Sequence, residues 1–320
     1  MNAIVTGGAG FLGSHLCDAL ISKGYQVVCI DNLLTGSKEN IAHLLSHPDF
    51  KFVESDVLNI SDLDIEHVDF IYHLASPASP NHHSKKSYHA LAFETMQVNS
   101  MGTWAVSEFA LLKGAKMLYA STSEAYGEPL EHPQKETYRG NVSSTGPRSV
   151  YDESKRFGET IVSAYVRDKK LDGRIIRIFN TYGPRMALDD GRVVMEFAMA
   201  AFKNQDLPIF GDGTQTRSFC YVSDLIEGIV RTMETENTTG EVFNLGNPHE
   251  FSMLELADKI IAKTGSSVKP SLKEAMPQDD PSRRCPDIAK AKQILAWEPQ
   301  IGLDQGLEFF LQDVKKRLNQ

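Results

Sequence analysis

The sequence predicts an α/β protein with a doubly wound parallel sheet and a smaller C-terminal domain that binds substrate. Short apolar segments rich in β-branched residues alternate with longer amphipathic segments in the first half of the 320 residues, which is the pattern of βαβ units around a parallel sheet. Several short segments, such as residues 27–30, are apolar on both faces. Strands of this kind need helices on both sides of the sheet.

Six strands are predicted before residue 180, at residues 3–6, 26–31, 51–54, 70–73, 116–121 and 174–179. Helices are predicted between them at residues 11–23, from about 90 to 112, and from about 151 to 167. Gly24 and Gly114 follow the first two of these helices, and glycine favours the backbone conformation that ends a helix. Residues 217–222 and 242–245 also have strand character and are predicted to return to the sheet.

The regular alternation stops after residue 179, which sets the predicted domain boundary. Turn residues are frequent in residues 180–213 and 248–320, with helices between them. We therefore predict one domain of residues 1–179 with returning segments at about 214–247, and a second domain made of residues 180–213 and 248–320. The second domain is expected to cover the carboxyl ends of the strands, where ligands bind in such sheets.

Composition and charge exclude several classes of protein. The chain has 33 Lys and Arg against 42 Asp and Glu, a net charge of −9, which argues against nucleic acid or an anionic membrane as the main partner. No segment resembles a secretory signal or approaches the ~20 apolar residues of a membrane helix. The four cysteines are far apart and have no metal-ligand spacing: Cys17, Cys29, Cys220 and Cys285. We therefore expect neither disulfides nor a metal site, and a cytoplasmic location.

A glycine-rich loop joins the first predicted strand to the first predicted helix. Gly7, Gly10 and Gly13 permit a tight turn, close approach of backbone N–H groups to a pyrophosphate, and close packing of the helix on the strand. Phe11 and Leu12 begin the helix and are predicted to contact the same ligand. Such a loop is weak evidence alone, but its place between a strand and a helix favours a Rossmann-type domain.

Asp31 ends the second predicted strand and favours NAD as the cofactor. A carboxylate there can accept hydrogen bonds from a ribose diol and repels the 2′-phosphate of NADP. Further NAD contacts are predicted just after the second, third and fourth strands, at Asn32, Thr35, Asp56, Val57, Leu74 and Ser76. Residues 1–179 are therefore predicted to be an NAD-binding domain.

Tyr151 and Lys155 are four residues apart in a predicted helix and so share one of its faces. A lysine ammonium beside a phenol favours the phenolate, and the positive nicotinamide ring adds to this effect. Such a phenolate can take the proton from a sugar hydroxyl while hydride leaves its carbon. The spacing occurs by chance in many helices, but together with the glycine loop it favours a catalytic, NAD-contacting pair.

Ser123 and Glu124 follow the fifth predicted strand, at the edge of the sheet where ligands bind. A serine hydroxyl can hydrogen-bond the reacting C–O group, and a carboxylate can act as an acid or a base at the neighbouring carbon. The alternative is that these two residues only cap a short helix.

Four motifs together resemble the extended short-chain dehydrogenase/reductase family that acts on nucleotide sugars. They are Gly7-x-x-Gly10-x-x-Gly13, Thr122-Ser123-Glu124-Ala125-Tyr126-Gly127, Tyr151-x-x-x-Lys155 and Arg177-Ile178-Phe179-Asn180-Thr181-Tyr182-Gly183-Pro184-Arg185. Longer strings at residues 73–80, 146–153, 189–194, 215–219 and 279–287 are similar to the branch of UDP-glucuronate decarboxylases, also called UDP-xylose synthases. The resemblance covers nearly the whole chain.

The resemblance implies a decarboxylation that begins with oxidation at sugar C4 and ends with reduction at the same carbon. NAD⁺ would take hydride from C4 while Tyr151 takes the hydroxyl proton, and the 4-keto sugar is a β-keto acid that loses CO₂ readily. Protonation at C5 and return of the hydride would give UDP-xylose without an external reductant. By the same resemblance Lys155 assists Tyr151 and holds the nicotinamide ribose, and Ser123 bonds the C4 oxygen. Glu124 and Arg217 lie at the carboxylate end, with Glu124 or a water that it orders as the candidate proton donor at C5.

The rest of the substrate would be held by residues from distant segments. The resemblance assigns the diphosphate, uracil and ribose to Asn180, Arg185, Arg192, Val194 and Arg284. An arginine guanidinium matches the geometry of phosphate and carboxylate oxygens. The second domain is therefore predicted to bind a UDP-sugar. The resemblance also implies a homodimer that forms through the helices of residues 90–112 and 151–167.

One stretch departs from the family pattern. Gln97 stands where the family has a lysine, and residues 81–95 form a longer segment than usual. Because this segment borders the predicted sugar pocket, an N-acetylated or other UDP-uronate stays open as the substrate. His82, His83 and His89 lie in it without acidic partners at ligand spacing, and we interpret them as part of a solvated loop.

Other functions stay open on the sequence alone. A nucleotide-sugar 4,6-dehydratase shares the oxidation at C4 and usually carries Asp-Glu where this chain has Ser123-Glu124, although related GDP-sugar dehydratases carry Ser-Glu. A 4-epimerase needs no acid at position 124. A catalytically silent regulator that binds NAD or a nucleotide sugar would not need Ser123, Tyr151 and Lys155.

Overall fold

The computed structural model describes residues 1–273, 281 and 283–319. Asp279, Asp280 and Ser282, which belong to one of the family-like strings, lie outside the described residues. The strands are β1 Asn2–Thr6, β2 Gln26–Asp31, β3 Phe50–Glu54, β4 Phe70–His73, β5 Lys116–Thr122, β6 Gly173–Ile178, β7 Thr181–Tyr182, β8 Leu207–Phe210, β9 Thr216–Ser218, β10 Cys220–Tyr221, β11 Val242–Leu245, β12 Glu250–Ser252, β13 Pro270–Lys273 and β14 Arg283–Arg284.

The α-helices are α1 Phe11–Ser22, α2 Ala92–Gln97, α3 Thr103–Lys113, α4 Ser149–Ala164, α5 Val193–Phe202, α6 Val222–Glu234, α7 Met253–Thr264, α8 Ala289–Leu295 and α9 Leu303–Leu318. A π-helical turn, Val98–Gly102, joins α2 to α3, so the predicted helix of residues 90–112 is continuous but locally widened. A second π-helical turn, Tyr165–Lys169, extends α4. In the part of the chain that the structure describes, no helix has the length and apolar character to span a bilayer.

A seven-stranded sheet forms the centre of the molecule, in the order β11-β6-β5-β4-β1-β2-β3. Every neighbouring pair in it is parallel, which confirms the predicted Rossmann-type fold. The strand order reverses between β1 and β4. In open α/β sheets the carboxyl ends on either side of such a reversal form the ligand crevice.

Two buried apolar layers cover the two faces of this sheet. Val5 of β1 packs in one layer with Leu16 of α1 and residues of α6, whereas Ile4 packs in the other layer with Phe109 of α3 and residues of α4. Successive residues of a strand therefore point into different cores. This is the physical reason why the predicted strands are apolar on both faces.

The six predicted strands agree with β1 to β6 to within one residue at either end. Residues 242–245 return to the sheet as β11 beside β6, as predicted. The same prediction for residues 217–222 is wrong. Part of that segment, β9, pairs with β12 and β14, and another part, β10, pairs with β7, so both lie outside the main sheet.

Candidate active site

A cavity of about 460 Å³ opens along the carboxyl ends of the central strands, within the range of about 300–1,000 Å³ usual for ligand pockets. Residues at or just after the carboxyl ends of β1 to β6 line it, among them Gly10, Asp31, Asp56, Ser76 and Asn180. All the site residues predicted from the sequence contribute to this lining except Val194 and Arg217. The topology of the sheet thus brings segments from across the chain to one place.

The glycine loop closes so tightly that side chains are excluded from it. A Cβ atom on Gly13 would lie 2.1 Å from the carbonyl oxygen of Gly7, and one on Gly7, whose φ is +72°, would lie 2.8 Å from the backbone of Ala75. Gly10 is the N-cap of α1 and makes no side-chain capping bond. The N–H groups of the first turn are therefore open to an anion such as a pyrophosphate in the cavity.

Asp31 is held at the cavity by two backbone groups. Its Oδ2 accepts a hydrogen bond from the N–H of Ala9 at 3.0 Å, and its Oδ1 accepts one from the N–H of Leu33 at 2.8 Å. Each carboxylate oxygen can accept a second hydrogen bond, so Asp31 can also hold a ribose diol. Asn32 and Asp56, two other predicted contacts, are joined by a hydrogen bond of 2.8 Å. The glycine loop and Asp31 therefore form a cofactor cradle that fits the pyrophosphate and a ribose of NAD.

Helix α4 brings Tyr151 and Lys155 to the wall of the cavity, as their four-residue spacing predicts. Lys155 is 3% exposed, and its Nζ donates to the carbonyl oxygen of Ala120 at 2.8 Å. The Nζ lies 5.9 Å from the centre of the Tyr151 ring. Burial lowers the pKa of Lys155 to about 7, although Glu159 acts in the opposite direction, so this side chain titrates near neutral pH.

The protein's own groups raise the pKa of Tyr151. Burial is the main cause and the negative charge of Glu124 adds to it, whereas Arg192 and the hydroxyl of Thr122 act in the opposite direction. The ammonium of Lys155 is directed at the backbone carbonyl of Ala120. Positive charge from a bound ligand would favour the phenolate of Tyr151, so the lowering of this pKa by Lys155 together with the nicotinamide ring stays a prediction.

Thr122 is a site residue that the sequence reasoning missed. Its hydroxyl hydrogen-bonds Tyr151 and accepts a hydrogen bond from the N–H of Glu124 at 3.1 Å. Thr122 thereby caps the 3-10 helix Ser123–Tyr126. The capping role that was the alternative for Ser123 and Glu124 therefore belongs to Thr122. Ser123, predicted to bond the C4 oxygen, lines the cavity as well. The place of Thr122 at the last position of β5 was the available signal.

Glu124 lies between two arginines on the cavity wall. The Nη2 of Arg148 donates to its Oε2 at 2.6 Å, and the Nη1 of Arg284 lies 3.8 Å from its Oε1. Burial disfavours the ionised form, but the two guanidinium groups outweigh this effect and lower the pKa of Glu124 to about 2. Glu124 is thus a carboxylate at neutral pH, so another acid must protonate it before it can donate a proton at C5.

Arg185, Arg192 and Arg284 line the cavity and supply positive charge that the net charge of the chain conceals. The Nη1 of Arg192 donates to Asp190 at 2.8 Å. The Nη2 of Arg185 donates to Asp18 at 2.5 Å, while its Nη1 is buried with no hydrogen-bond partner among the described residues. Because buried guanidinium nitrogens normally have partners, this nitrogen fits an anionic group of a ligand.

Arg217 and Val194 lie outside the cavity lining. Arg217 is buried and donates to the carbonyl oxygens of Thr216 at 2.9 Å and Pro281 at 2.5 Å. Val194 is 2% exposed and belongs to the apolar layer that contains α5. The substrate contacts of these two residues therefore stay predictions.

Residues 81–95 border the cavity, as predicted, and Ser84 and Gln97 contribute to its lining. Sequence reasoning missed Tyr88, which is fully buried. Its ring stacks on the ring of Tyr151, with the centroids 4.8 Å apart and the planes inclined by 11°. The unusual segment therefore supports the phenol of the predicted base directly.

The histidines of this segment differ in their environments. His82 and His83 are exposed, in agreement with a solvated loop, whereas His89 is half-buried. The ring of His89 stacks on His82 with the centroids 3.7 Å apart, and burial followed by the charge of His82 lowers the pKa of His89 to about 4. His89 is therefore neutral near pH 7.

Three residues with metal-binding side chains meet outside the cavity lining. His132, Glu250 and Cys285 each place one ligand atom within 4.8 Å of the others, although their positions in the sequence have no ligand spacing. His132 is 2.8 Å from Glu250, the thiol of Cys285 donates to the carbonyl of Pro248 at 3.2 Å, and Arg283 lies 3.9 Å from Glu250. These atoms are satisfied by one another and by a neighbouring cation, so the cluster does not point to a metal.

Curated relatives are similar to this chain over nearly its whole length. UDP-glucuronic acid decarboxylase 1 of Arabidopsis thaliana is 50% identical over 318 residues, which cover 99% of this chain and 71% of the relative. UDP-glucuronic acid decarboxylase 4 of the same organism is 49% identical over 321 residues, which cover 99% of this chain and 69% of the relative.

A solved structure is similar in fold. The crystal structure of UDP-glucuronic acid 4-epimerase from Bacillus cereus, in complex with UDP-glucuronic acid and NAD, has a TM-score of 0.86 and 31% sequence identity. The match covers 99% of this chain and 100% of that chain.

The parallel sheet, the glycine loop and the Tyr151–Lys155 pair define an NAD-dependent extended short-chain dehydrogenase/reductase. The model of the NAD dependent epimerase/dehydratase family matches residues 3–246. The chain belongs to this family and, within it, to the UDP-glucuronic acid decarboxylases.

Proposed function

We propose that this protein converts UDP-glucuronate to UDP-xylose and CO₂ through a 4-keto intermediate, with no net consumption of NAD. The observation that carries the proposal is a single cavity that joins the glycine loop, the Tyr151–Lys155 pair and three arginines. Such a cavity can hold a dinucleotide beside a substrate with a diphosphate and a carboxylate. The 49–50% identity to curated UDP-glucuronic acid decarboxylases supports the same substrate.

The residues of the site divide the chemistry at C4 between them. When bound, NAD supplies a hydride acceptor at C4 and, in its oxidised form, a positive ring charge that favours the phenolate of Tyr151. Tyr151 takes the proton of the C4 hydroxyl and later returns it to the same oxygen. Thr122, which bonds Tyr151, and Ser123, which lines the cavity, are placed to orient that hydroxyl. The hydrogen bond from Lys155 to the carbonyl oxygen of Ala120 fixes this face of α4 against the carboxyl end of β5.

Loss of CO₂ follows from the oxidation at C4. The 4-keto sugar with a carboxylate on C5 is a β-keto acid, whose electrons delocalise into the C4 carbonyl as CO₂ departs. Arg284 and Arg192 line the cavity and can hold the anionic groups of the substrate. Burial alone would lower the pKa of Arg192, but the neighbouring acidic groups, Asp190 foremost and then Tyr151, outweigh this effect and raise it, so the guanidinium stays charged.

The reaction can be tested with purified protein and UDP-glucuronate, without added NADH, by mass spectrometry of the product. We expect a product lighter by CO₂ with the chromatographic behaviour of UDP-xylose. An unchanged mass with inverted C4 would show epimerisation, and loss of water would show dehydration. No change with UDP-glucuronate, N-acetylated or other UDP-uronates would contradict an enzymatic role and favour the regulator.

A second candidate activity is epimerisation of UDP-glucuronate at C4. The similarity to the Bacillus cereus UDP-glucuronic acid 4-epimerase favours it, but at 31% identity, well below the identity to the decarboxylases. An epimerase would also have no need of the charged pair that Glu124 forms with Arg148.

We also propose that the protein is a cytoplasmic homodimer that pairs through α2, α3 and α4. Large apolar side chains on these helices and on the turn between α2 and α3 are exposed, namely Phe93 at 80%, Met101 at 62%, Trp104 at 53% and Phe157 at 52%. A contiguous patch of exposed apolar surface marks an interaction site, and these side chains are the candidates to form one. The four cysteines are all free thiols, which supports a reducing compartment.

Replacing Trp104 with lysine is expected to turn the dimer into a monomer, because a charge would be buried in an apolar interface. Sedimentation velocity measures the change. Leu130→Lys, at an exposed apolar side chain outside these helices, is the matched control and should remain dimeric. A wild-type protein that sediments as a monomer would refute the dimer.

A further inference from the structure

Tyr88, in the segment that departs from the family pattern, packs its ring against the ring of Tyr151. Tyr88 is fully buried, and the two ring planes are inclined by only 11° with their centroids 4.8 Å apart. The ring of Tyr88 also packs against the ring of His89, with the centroids 4.4 Å apart. Tyr88 is therefore held in an aromatic cluster, and one member of this cluster is the proposed base.

The hydroxyl of Tyr88 does not explain this arrangement. Its oxygen is buried and has no hydrogen-bond partner among the described residues, although buried hydroxyl groups normally have one. Tyr88 also lies outside the cavity lining that the described residues form. What Tyr88 offers to Tyr151 is therefore the face of its ring.

The segment that carries Tyr88 is tied to the wall of the cavity. The N–H of Tyr88 donates to the carbonyl oxygen of Ser79 at 3.0 Å, and the Oγ of Ser79 donates to the carbonyl oxygen of Asp190 at 2.5 Å. The Oγ of Ser84 donates to the carboxylate of Asp189 at 2.9 Å. All four of these partners line the cavity. Hydrogen bonds therefore hold Tyr88 to the wall of the site, independently of α4, on which Tyr151 lies.

We propose that Tyr88 is a positioning residue, which holds the ring of Tyr151 in the orientation from which its oxygen takes the proton of the C4 hydroxyl. This inference rests on the proposed function, in which Tyr151 is the base. A contact at the hydroxyl end of Tyr151 leaves its side-chain torsions free to change, whereas a stacked ring restricts them. A reacting group that is displaced by about 1 Å can lower a rate about 10²-fold. Tyr88 thereby sets the rate of oxidation at C4 without touching the substrate.

The test compares a variant that keeps the ring with a variant that removes it. Tyr88→Phe lacks only the unpartnered hydroxyl, whereas Tyr88→Leu loses the stacking face. For each variant we measure kcat per bound NAD and KM with UDP-glucuronate, the affinity for NAD, and the isotope effect on kcat of deuterium at C4. Tyr138→Leu is the matched control, because Tyr138 stacks on Tyr126 outside the cavity lining, with the centroids 5.9 Å apart and the planes inclined by 15°.

We expect kcat of Tyr88→Leu to fall at least about tenfold, while KM and the affinity for NAD stay within about twofold of the wild type. The isotope effect should be no smaller than in the wild type, because the loss falls on the step that breaks the C–H bond at C4. Tyr88→Phe should retain most of the wild-type kcat, and Tyr138→Leu should turn over normally. A role in folding alone would lower thermal stability but would leave kcat per bound NAD unchanged.

Three results would overturn the inference. The first is a wild-type kcat in Tyr88→Leu, and the second is an equal loss of kcat in Tyr88→Phe and Tyr88→Leu. The third is a lower kcat with a smaller isotope effect, which would place the loss at another step. If Tyr88→Leu does not fold, as judged by NAD binding and thermal unfolding, Tyr88→Met takes its place with the same expected outcome. A wild-type protein that does not turn over UDP-glucuronate would refute the proposed function itself, which is a different result from these three.

Discussion

Replacing Tyr151 with phenylalanine is expected to lower the rate of UDP-glucuronate turnover about a thousandfold, within the range of about 10²–10⁴ for a lost general base. The phenylalanine ring keeps the buried volume and the stacking surface of Tyr88. It removes the phenol hydroxyl, which interacts with Thr122 and is the proposed acceptor of the C4 proton. Affinity for NAD should stay near that of the wild type, because the glycine loop and Asp31 are unchanged.

Steady-state turnover and NAD titration of the same preparation check this prediction. Tyr25→Phe is the matched control, since the hydroxyl of Tyr25 bonds Glu234 next to the amino end of β2, at the opposite edge of the sheet. That variant should turn over normally. Normal turnover by Tyr151→Phe would show that the base has been assigned to the wrong residue.

Replacing Gly13 with alanine is expected to disrupt the cofactor cradle. The new methyl group would lie 2.1 Å from the carbonyl oxygen of Gly7, and neither backbone can move without opening the turn that presents the N–H groups of α1. Overpacking of this kind costs about 1–3 kcal/mol in the free energy of unfolding. We also expect NAD affinity to fall at least about tenfold, which corresponds to about 1.4 kcal/mol.

Thermal unfolding and isothermal titration with NAD measure the two effects. Gly302→Ala is the matched control, because a Cβ at Gly302 meets no atom within 4 Å and its φ is −70°. Gly302→Ala should be nearly neutral. Wild-type NAD affinity in Gly13→Ala would contradict the role of the loop.

The fold of the cofactor domain was predictable because its signals are local. Most strands from β1 to β6 are short apolar segments that are buried on both faces, with β3 the most exposed of them, and each lies within one residue of its predicted position. Segment 217–222 has the same local signal, but Arg217 pairs with Phe251 and Arg284 from segments far along the chain. No pattern within six residues can show such partners, so the sheet assignment of this segment failed.

The site was predictable where chemistry depends on spacing within one motif. The glycine loop, Asp31 and the pair Tyr151–Lys155 meet at one cavity because each follows a parallel strand or shares a helix face. Tyr88 was missed because its stacking on Tyr151 depends on how a loop folds back over α4. The effects of burial and of the charge of Glu124 on the pKa of Tyr151 were also missed, since both arise only from the tertiary structure.

The most direct test of this account uses UDP-glucuronate labelled with deuterium at C4, incubated with the protein without added NADH. The account predicts that the UDP-xylose formed carries the deuterium at C4, because the hydride that leaves this carbon returns to it within one turnover. Product that has lost the C4 deuterium to solvent or to a free nicotinamide pool, or that still carries its carboxylate, would contradict the account.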